Sequence, residues 1–385
     1  MKTILVRTIR KAALALAVAL LTTAVASRAL AAQTFLYTQT NLTSNLPNQA
    51  ANQDPNLQNA WGVAFLPSAV FPGGSPFWIS DNNSGLSTLY DAAGALVAPP
   101  VNIPSPTSMT GGTPTGLVSN LNIFTEPTAN DFMSDVFIFD TEDGTIVGWQ
   151  TPPMTFNTQA VVRVDNSHSG AVYKGLAIAN DSDGNSHLYA TNFNSGAVDV
   201  FDFDYSANTT LPGKFVDPKL PKGFAPFGIE LINGNLWVSY AKQDNAKHDP
   251  VNMRGNGFVD IFTTDGMFVR RFASRGQLNS PWGMMMAPSN FGVAANQVLI
   301  GDFGDGHINV YTPNGFPRGQ LQTQKGFLLR PLVIDGLWKL INGNGAAGVT
   351  TDTVYFSAGP NHETNGLFGT ISPSTFKFVK QNPMM

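Results

Sequence analysis

Six glycines recur along the chain at almost even spacing: Gly62, Gly116, Gly175, Gly228, Gly283 and Gly336, separated by 54, 59, 53, 55 and 53 residues. Each follows an aromatic, polar or charged residue and opens a short apolar run. Repetition at this period means one supersecondary unit used many times, each copy covering the apolar faces of its neighbours. That constraint outweighs every other signal in the sequence.

Within each unit the glycine-led run is followed by a turn, an apolar segment ending in Asp or Asn, a second glycine turn, and another strand-like segment. In the first copy these are Trp61-Gly62-Val63-Ala64-Phe65, Phe77-Trp78-Ile79-Ser80-Asp81, Gly85, and Ser87-Thr88-Leu89-Tyr90-Asp91. The fifth copy reads Trp282-Gly283, Val298-Leu299-Ile300-Gly301-Asp302, Gly306 and Ile308-Asn309-Val310-Tyr311. Continuous apolar runs such as Val136 to Phe139 imply burial on both faces rather than one wet face. With 37 glycines and 26 prolines spread between such runs, the chain is rich in turns, and no helical period appears beyond the leader. The fold expected is all-β: a six-bladed β-propeller of four-stranded antiparallel blades. Its ring closes either through Phe35 to Leu42, supplying the missing strand of the sixth blade, or through Phe376 to Lys380 from the other terminus; the first is favoured.

Lys2, Arg7, Arg10 and Lys11 precede an apolar stretch from Ala12 to Ala26, and Ala29-Leu30-Ala31 offers a small-residue cleavage pattern. Residues 1–32 are therefore assigned as a secretory signal peptide and residues 33–385 as one propeller domain. The apolar core of about 15 residues is short for a membrane span. The protein is expected to be exported, to the periplasm or outside the cell, and soluble once the leader is gone. The chain has no cysteine, which removes disulfides, thiolate metal sites and a cysteine nucleophile. Its formal net charge is −4 and it carries no basic cluster, so a nucleic-acid partner is not expected.

The pattern Pro/Trp-x-Gly, strand-Asp/Asn-x-x-x-Gly, strand-Asp resembles the NHL-type repeat. The carriers are Asn59-Ala60-Trp61-Gly62-Val63-Ala64, Trp78-Ile79-Ser80-Asp81-Asn82, Ser280-Pro281-Trp282-Gly283-Met284, Gly301-Asp302-Phe303-Gly304-Asp305-Gly306 and Asn365-Gly366-Leu367-Phe368-Gly369. Over residues 33 to 375 the chain is similar to a family of exported bacterial propeller proteins, some with a C-terminal PEP-CTERM sorting tail. No Pro-Glu-Pro motif precedes Met385. The resemblance implies a fold and names no activity.

In a propeller, the loops leading into the innermost strands and those joining second to third strands share one mouth of the central channel. Here that mouth is expected to gather Trp61, Asp81, Asn82, Asp140, Asn192, Asn194, Asp244, His248, Trp282, Asp302, Asp305, Asn361, His362 and Glu363, a binding surface for a small molecule, glycan or protein. Converging oxygens suit a hard cation such as Ca²⁺; Asp81, Asp140, Asn192 and Asp302, each four residues before a glycine, equally suit hydrogen bonds to turn amides. Glu230 stands out, because the other copies have Ala64, Val118, Ala177, Met285 and Trp338 at its position. A carboxylate there needs a metal, a cation or water as partner, and Lys174 and Lys339 are the nearby inner-strand cations. Gluconolactonase-like propellers hold a channel cation with Glu, Asn and Asp. By that analogy Glu230, Asp81, Asn192 and Asp302 form the metal set of an alternative, Ca-type hydrolase or lactonase. The fourth copy carries an insertion, Lys242 to Asn256, expected to overhang the mouth. The chain has no His-x-x-x-His pair, Gly-x-Ser-x-Gly elbow, Walker loop or dinucleotide fingerprint. Asp181 to Asn185 reads as a hairpin turn rather than a calcium loop.

Overall fold

A computed structural model describes residues 35–125, 131–151, 156–346, 349, 351 and 353–375. The leader (residues 1–32) and the segment Phe376 to Lys380 lie outside the described residues. Among the described residues six blade sheets stand around a central channel, giving the six-bladed propeller. They are antiparallel except for the short parallel pairing of Thr43–Ser44 with Asn52–Gln53 at the edge of the sixth, and two small two-stranded ribbons accompany the six blades. Their innermost strands are Ala60–Ala64, Pro114–Ser119, Tyr173–Asn180, Phe224–Ile232, Pro281–Met286 and Leu337–Asn342. In blades one, two, four and five the next three strands follow in chain order.

Blade six is completed by the N-terminal strand Tyr37–Ser44, which pairs with Leu367–Pro373 from Tyr37 opposite Pro373 to Ser44 opposite Leu367. The ring therefore closes through the N-terminal side. Tyr37 also reaches into blade five: its hydroxyl donates to the Phe291 carbonyl (2.7 Å) and accepts from the Ala294 amide (3.0 Å). Blade three is shorter than expected. It has three strands, and only an isolated bridge between Phe201 and Ala207 marks the fourth. Pro212, Pro218 and Pro221 lie just beyond and withhold the amides a ladder needs.

Strand register aligns the inner strands position by position. Ala60 faces Asp81, Pro226 faces Tyr240, Pro281 faces Asp302 and Leu337 faces Ala358. Two residues on lies the recurrent glycine: Gly62, Gly116, Gly175, Gly228, Gly283. In blade six that place is held by Lys339, not Gly336. Gly336 instead occupies the preceding loop at φ 64°, where a Cβ would lie 2.1 Å from the Gly359 carbonyl. The ring glycines are needed because neighbouring inner strands nearly touch. A Cβ on Gly62 would sit 2.4 Å from the Thr115 carbonyl oxygen, and one on Gly228 would sit 2.4 Å from that of Trp282.

Two rings of side chains follow along the channel, on either side of the glycine level. The residues before the glycines are Trp61, Thr115, Lys174, Phe227, Trp282 and Trp338. Trp338 stacks on Trp61 (centroids 3.5 Å apart) and on Phe303 (4.0 Å), and Trp282 meets both indoles edge-on. This aromatic layer plugs the channel. Two residues past the glycines come Ala64, Val118, Ala177, Glu230, Met285 and Ile341, so the sixth counterpart of Glu230 is Ile341 rather than Trp338. Between blades the packing is also aromatic: Trp78 stacks on Phe137 at 4.3 Å, and Trp149 lies 4.6 Å from Trp78. Among the described residues no helix is long and apolar enough to cross a membrane.

Candidate functional site

Where the inner strands begin, the channel opens into an upper mouth, and its chemistry is organised by Lys174. That lysine replaces an aromatic residue in the plug layer, and its side chain is 1 % exposed. Nζ lies 5.4 Å from the Trp61 ring centroid, a cation–π contact. It donates to Glu142 Oε1 and lies 3.5 Å from Asp249 Oδ1. Glu142 belongs to the turn Asp140 to Gly144 of blade two; Asp249 belongs to the insertion of blade four, which does overhang the mouth. The insertion is folded on itself, with the Asp244 carboxylate accepting from the His248 amide at 2.9 Å. His248 Nδ1 lies 2.8 Å from Asp249 Oδ1. That hydrogen bond, foremost, raises the imidazole above its usual range and holds the Asp249 carboxyl down at about 2.

Glu363 approaches from blade six. Asn361, His362 and Glu363 are three consecutive left-handed residues, with φ of 59°, 54° and 64°. Such backbone is unfavourable for L-residues and persists only where contacts hold it. Here the Asn361 amide donates to Asp335 Oδ2 (2.8 Å), and the Glu363 amide donates to the Gly359 carbonyl (3.0 Å). The turn presents Glu363 to the mouth, where Asn59 Nδ2 donates to its Oε2 at 3.3 Å. Asn59 is itself fixed from below, accepting from Trp338 Nε1 at 2.9 Å. Asn82 links the two sides: it accepts from Asn59 at 3.4 Å and donates to Glu142 Oε2 at 2.9 Å. Thus the plug, two asparagines, three carboxylates and one ammonium form a connected polar network.

Burial, with the nearby Glu142 charge second, pushes the Glu363 carboxyl up to about 7 from 4.5. Between those values the folded protein holds a proton that the unfolded chain has released, so stability falls as pH rises through the window. Glu363→Gln is expected to flatten this slope by about 2 kcal/mol between pH 4.5 and 7.5. Urea unfolding of both proteins at the two pH values measures it; parallel pH profiles would show that Glu363 is not the group involved.

The other residues expected at the mouth are divided by the structure. Asn194, Asp244, His248, Asn361, His362 and Glu363 lie in its loops, with Asn361 and His362 exposed. Trp61 and Trp282 lie beneath it in the plug, and Trp282 Nε1 donates to the Lys174 carbonyl at 2.7 Å. Asp81, Asp140 and Asp302 are fully buried framework groups. Asp81 Oδ2 accepts from the Thr88 amide at 2.9 Å, Asp140 Oδ1 from the Thr115 hydroxyl at 2.7 Å, and Asp302 Oδ2 from Asn309 at 2.6 Å. Asn192 caps its own turn through the Ser195 amide (3.2 Å) and donates to Asp199 at 2.9 Å. Asp305 accepts from Asn279 at 3.1 Å. Asp181 accepts from the Asn185 amide at 2.8 Å, the hairpin turn expected of that segment.

The proposed set Glu230, Asp81, Asn192 and Asp302 is not brought together. Glu230 sits toward the far end of its strand, opposite Trp237, on the other side of the plug from the mouth. Its partner is Lys339, across the channel. Glu142, Lys174 and Asp249 take the central place instead. Glu142 had a signal in the sequence: it is a carboxylate at a turn position where the other repeats carry Asn83, Asn194 and Gly304.

Against known sequences, the chain is 32 % identical over 338 residues to "Uncharacterized protein L690" of Acanthamoeba polyphaga mimivirus, covering 86 % of this chain and 84 % of that one. It is also 32 % identical over 337 residues to "Uncharacterized protein R648" of the same virus, covering 86 % and 78 %. The chain belongs to their family. No protein-family model matches the sequence. Among solved structures it is similar to a glucose dehydrogenase (TM-score 0.54, 12 % identity, 88 % of this chain and 100 % of that one). It is likewise similar to the soluble aldose sugar dehydrogenase of Escherichia coli (TM-score 0.52, 12 % identity, 88 % and 100 %). At that identity these two likenesses establish the propeller fold for the family member described here, and nothing about its chemistry.

Proposed function

We propose that the protein is an exported binding propeller of the NHL-like kind, whose upper mouth takes up a hydroxyl-rich small molecule or glycan. One observation carries this reading: buried Lys174 draws Glu142 of blade two and Asp249 of the blade-four insertion to one point above the aromatic plug. Carboxylates accept two hydroxyl protons each, while the ammonium and the Asn82 amide donate, which matches the alternating donors and acceptors of a polyol. The residue 1–32 leader supports export. Calorimetric titration with a panel of neutral mono- and oligosaccharides tests the reading. At least one is expected to bind, with affinity reduced tenfold or more in Glu142→Gln and in Asp249→Asn. A panel without a binder, or equal affinity in both variants, contradicts it.

A divalent-cation-dependent hydrolase or lactonase is the second reading. It rests on Glu142, His248 and Asp249, which present ligand atoms within 4.8 Å of one another. The fit to Ca²⁺ is poor. A hard cation takes six to eight oxygens, whereas here Lys174 already pairs with both carboxylates and His248 with one of them. Added Ca²⁺ is expected to leave the thermal midpoint of the native protein unchanged and to raise that of Lys174→Met, where the competing ammonium is gone. A calcium-dependent rise in the native protein would favour the hydrolase.

A further inference from the structure

Below the plug, where the inner strands end, the channel widens into a cup of about 490 Å³, with a hollow of about 290 Å³ beside it. The two share Phe65, Glu230, Leu231 and Ile341 in their walls. A volume of this order holds a small organic molecule. The ring around the cup is apolar, formed by Ala64, Val118, Ala177, Met285 and Ile341, and Glu230 interrupts it. Among the described residues, Glu230 and Lys339 are the charged ones in the wall.

The two members of that pair are not held alike. The Lys339 side chain is 8 % exposed and Glu230 31 % exposed. Lys339 projects from the ring position that is glycine in the other five blades, and its Nζ stands 5.9 Å from the Trp282 centroid. The ammonium lies against the underside of the plug; the carboxylate is the more exposed member, nearer the rim. An incoming anion can therefore replace Glu230 at Lys339, whereas an incoming cation would find Lys339 still in place.

We propose that this cup is a second binding site, for a small amphipathic carboxylate. The apolar tail lies against Ala64, Val118, Ala177 and Ile341, and the carboxylate takes the place of Glu230 on Lys339. The site is independent of the upper mouth, from which the aromatic layer separates it. It joins an apolar wall to one pre-placed charge, the combination small-molecule sites use to fix orientation.

Decanoate and decyltrimethylammonium below their micelle concentrations, and decanol below its solubility limit, are the probes, titrated calorimetrically into the full protein. Decanoate is expected to bind at least tenfold more tightly than either of the others. Glu230→Gln is expected to tighten decanoate binding about threefold or more, because the competing carboxylate is removed while the ammonium stays. Lys339→Met is expected to weaken it at least tenfold; Ala177→Trp, which fills the cup, is expected to abolish it. Equal affinity for decanoate and decanol overturns the proposal, as does weaker or unchanged binding in Glu230→Gln. Should Lys339→Met fail to fold, the Glu230→Gln result decides alone.

Discussion

Trp338→Ala is expected to destabilise the protein by about 4 kcal/mol, the range seen when a fully buried large aromatic is truncated. The indole is wholly buried. It stacks on Trp61 and Phe303 at 3.5 and 4.0 Å and meets Trp282 and Phe227 at 5.8 Å, so its removal opens a hole bounded by four other rings. Those neighbours come from blades one, four and five, and the strand residues among them cannot collapse inward without leaving their own sheets. The loss is also chemical. Trp338 Nε1 donates to Asn59, and Asn59 positions Glu363 and Asn82. Saccharide binding at the mouth is therefore expected to weaken together with stability. Trp338→Phe keeps a ring in the stack and should cost less than half as much. Urea unfolding with an unchanged m-value measures the loss. A cost below about 1 kcal/mol for Trp338→Ala would mean that the plug is not packed as described.

Gly283→Ala carries the second large effect. Its Cβ would lie 2.3 Å from the Trp338 carbonyl oxygen and 3.1 Å from the Leu340 amide, both backbone atoms of the next blade. No rotamer relieves a backbone clash, so blades five and six must separate, at a cost of about 3 kcal/mol. The same substitution should be graded around the ring. Gly228→Ala meets the Trp282 carbonyl at 2.4 Å and should resemble it. At Gly175 the nearest atom is the Phe227 carbonyl at 3.0 Å, so Gly175→Ala should cost least of the three. Chemical denaturation of the three variants tests that order. Gly175→Ala as the most damaging would contradict the close approach of inner strands as the reason for glycine.

These two predictions mark how far the sequence could be read. The repeat was legible because inner strands approach closely in five of the six blades: those five carry glycine at the close approach, and the spacing exposes it. The sixth position was misplaced by three residues because Gly336 also has a reason to be glycine, its φ of 64° and the Gly359 carbonyl beside it. Only strand pairing, with Leu337 opposite Ala358, shows that Lys339 holds the ring position. Glu230 could be recognised as an outlier in an apolar ring. Its partner could be narrowed to the inner-strand cations Lys174 and Lys339, and the folded ring selects Lys339, 109 residues away across the channel. Likewise loop topology directs the insertion with His248 toward the end of the channel where the inner strands begin, and there Asp249 beside it reaches Lys174. The group at the centre of the mouth, Lys174, reads in the sequence as an inner-strand cation, but its partners Glu142 and Asp249 come from other blades and only the folded ring brings them to it. Asp81, Asp140 and Asp302 drew attention by recurring, and they recur because they bind strand amides and side chains inside each blade.

A crystal structure of the protein soaked with the tightest-binding saccharide of the panel tests the central claim most directly. The sugar should lie above the tryptophan layer, within hydrogen-bond distance of Lys174 and at least one of Glu142, Asp249 and Glu363. Density for the sugar in the lower cup or on the outer faces of the blades, with the mouth network undisturbed, would contradict it.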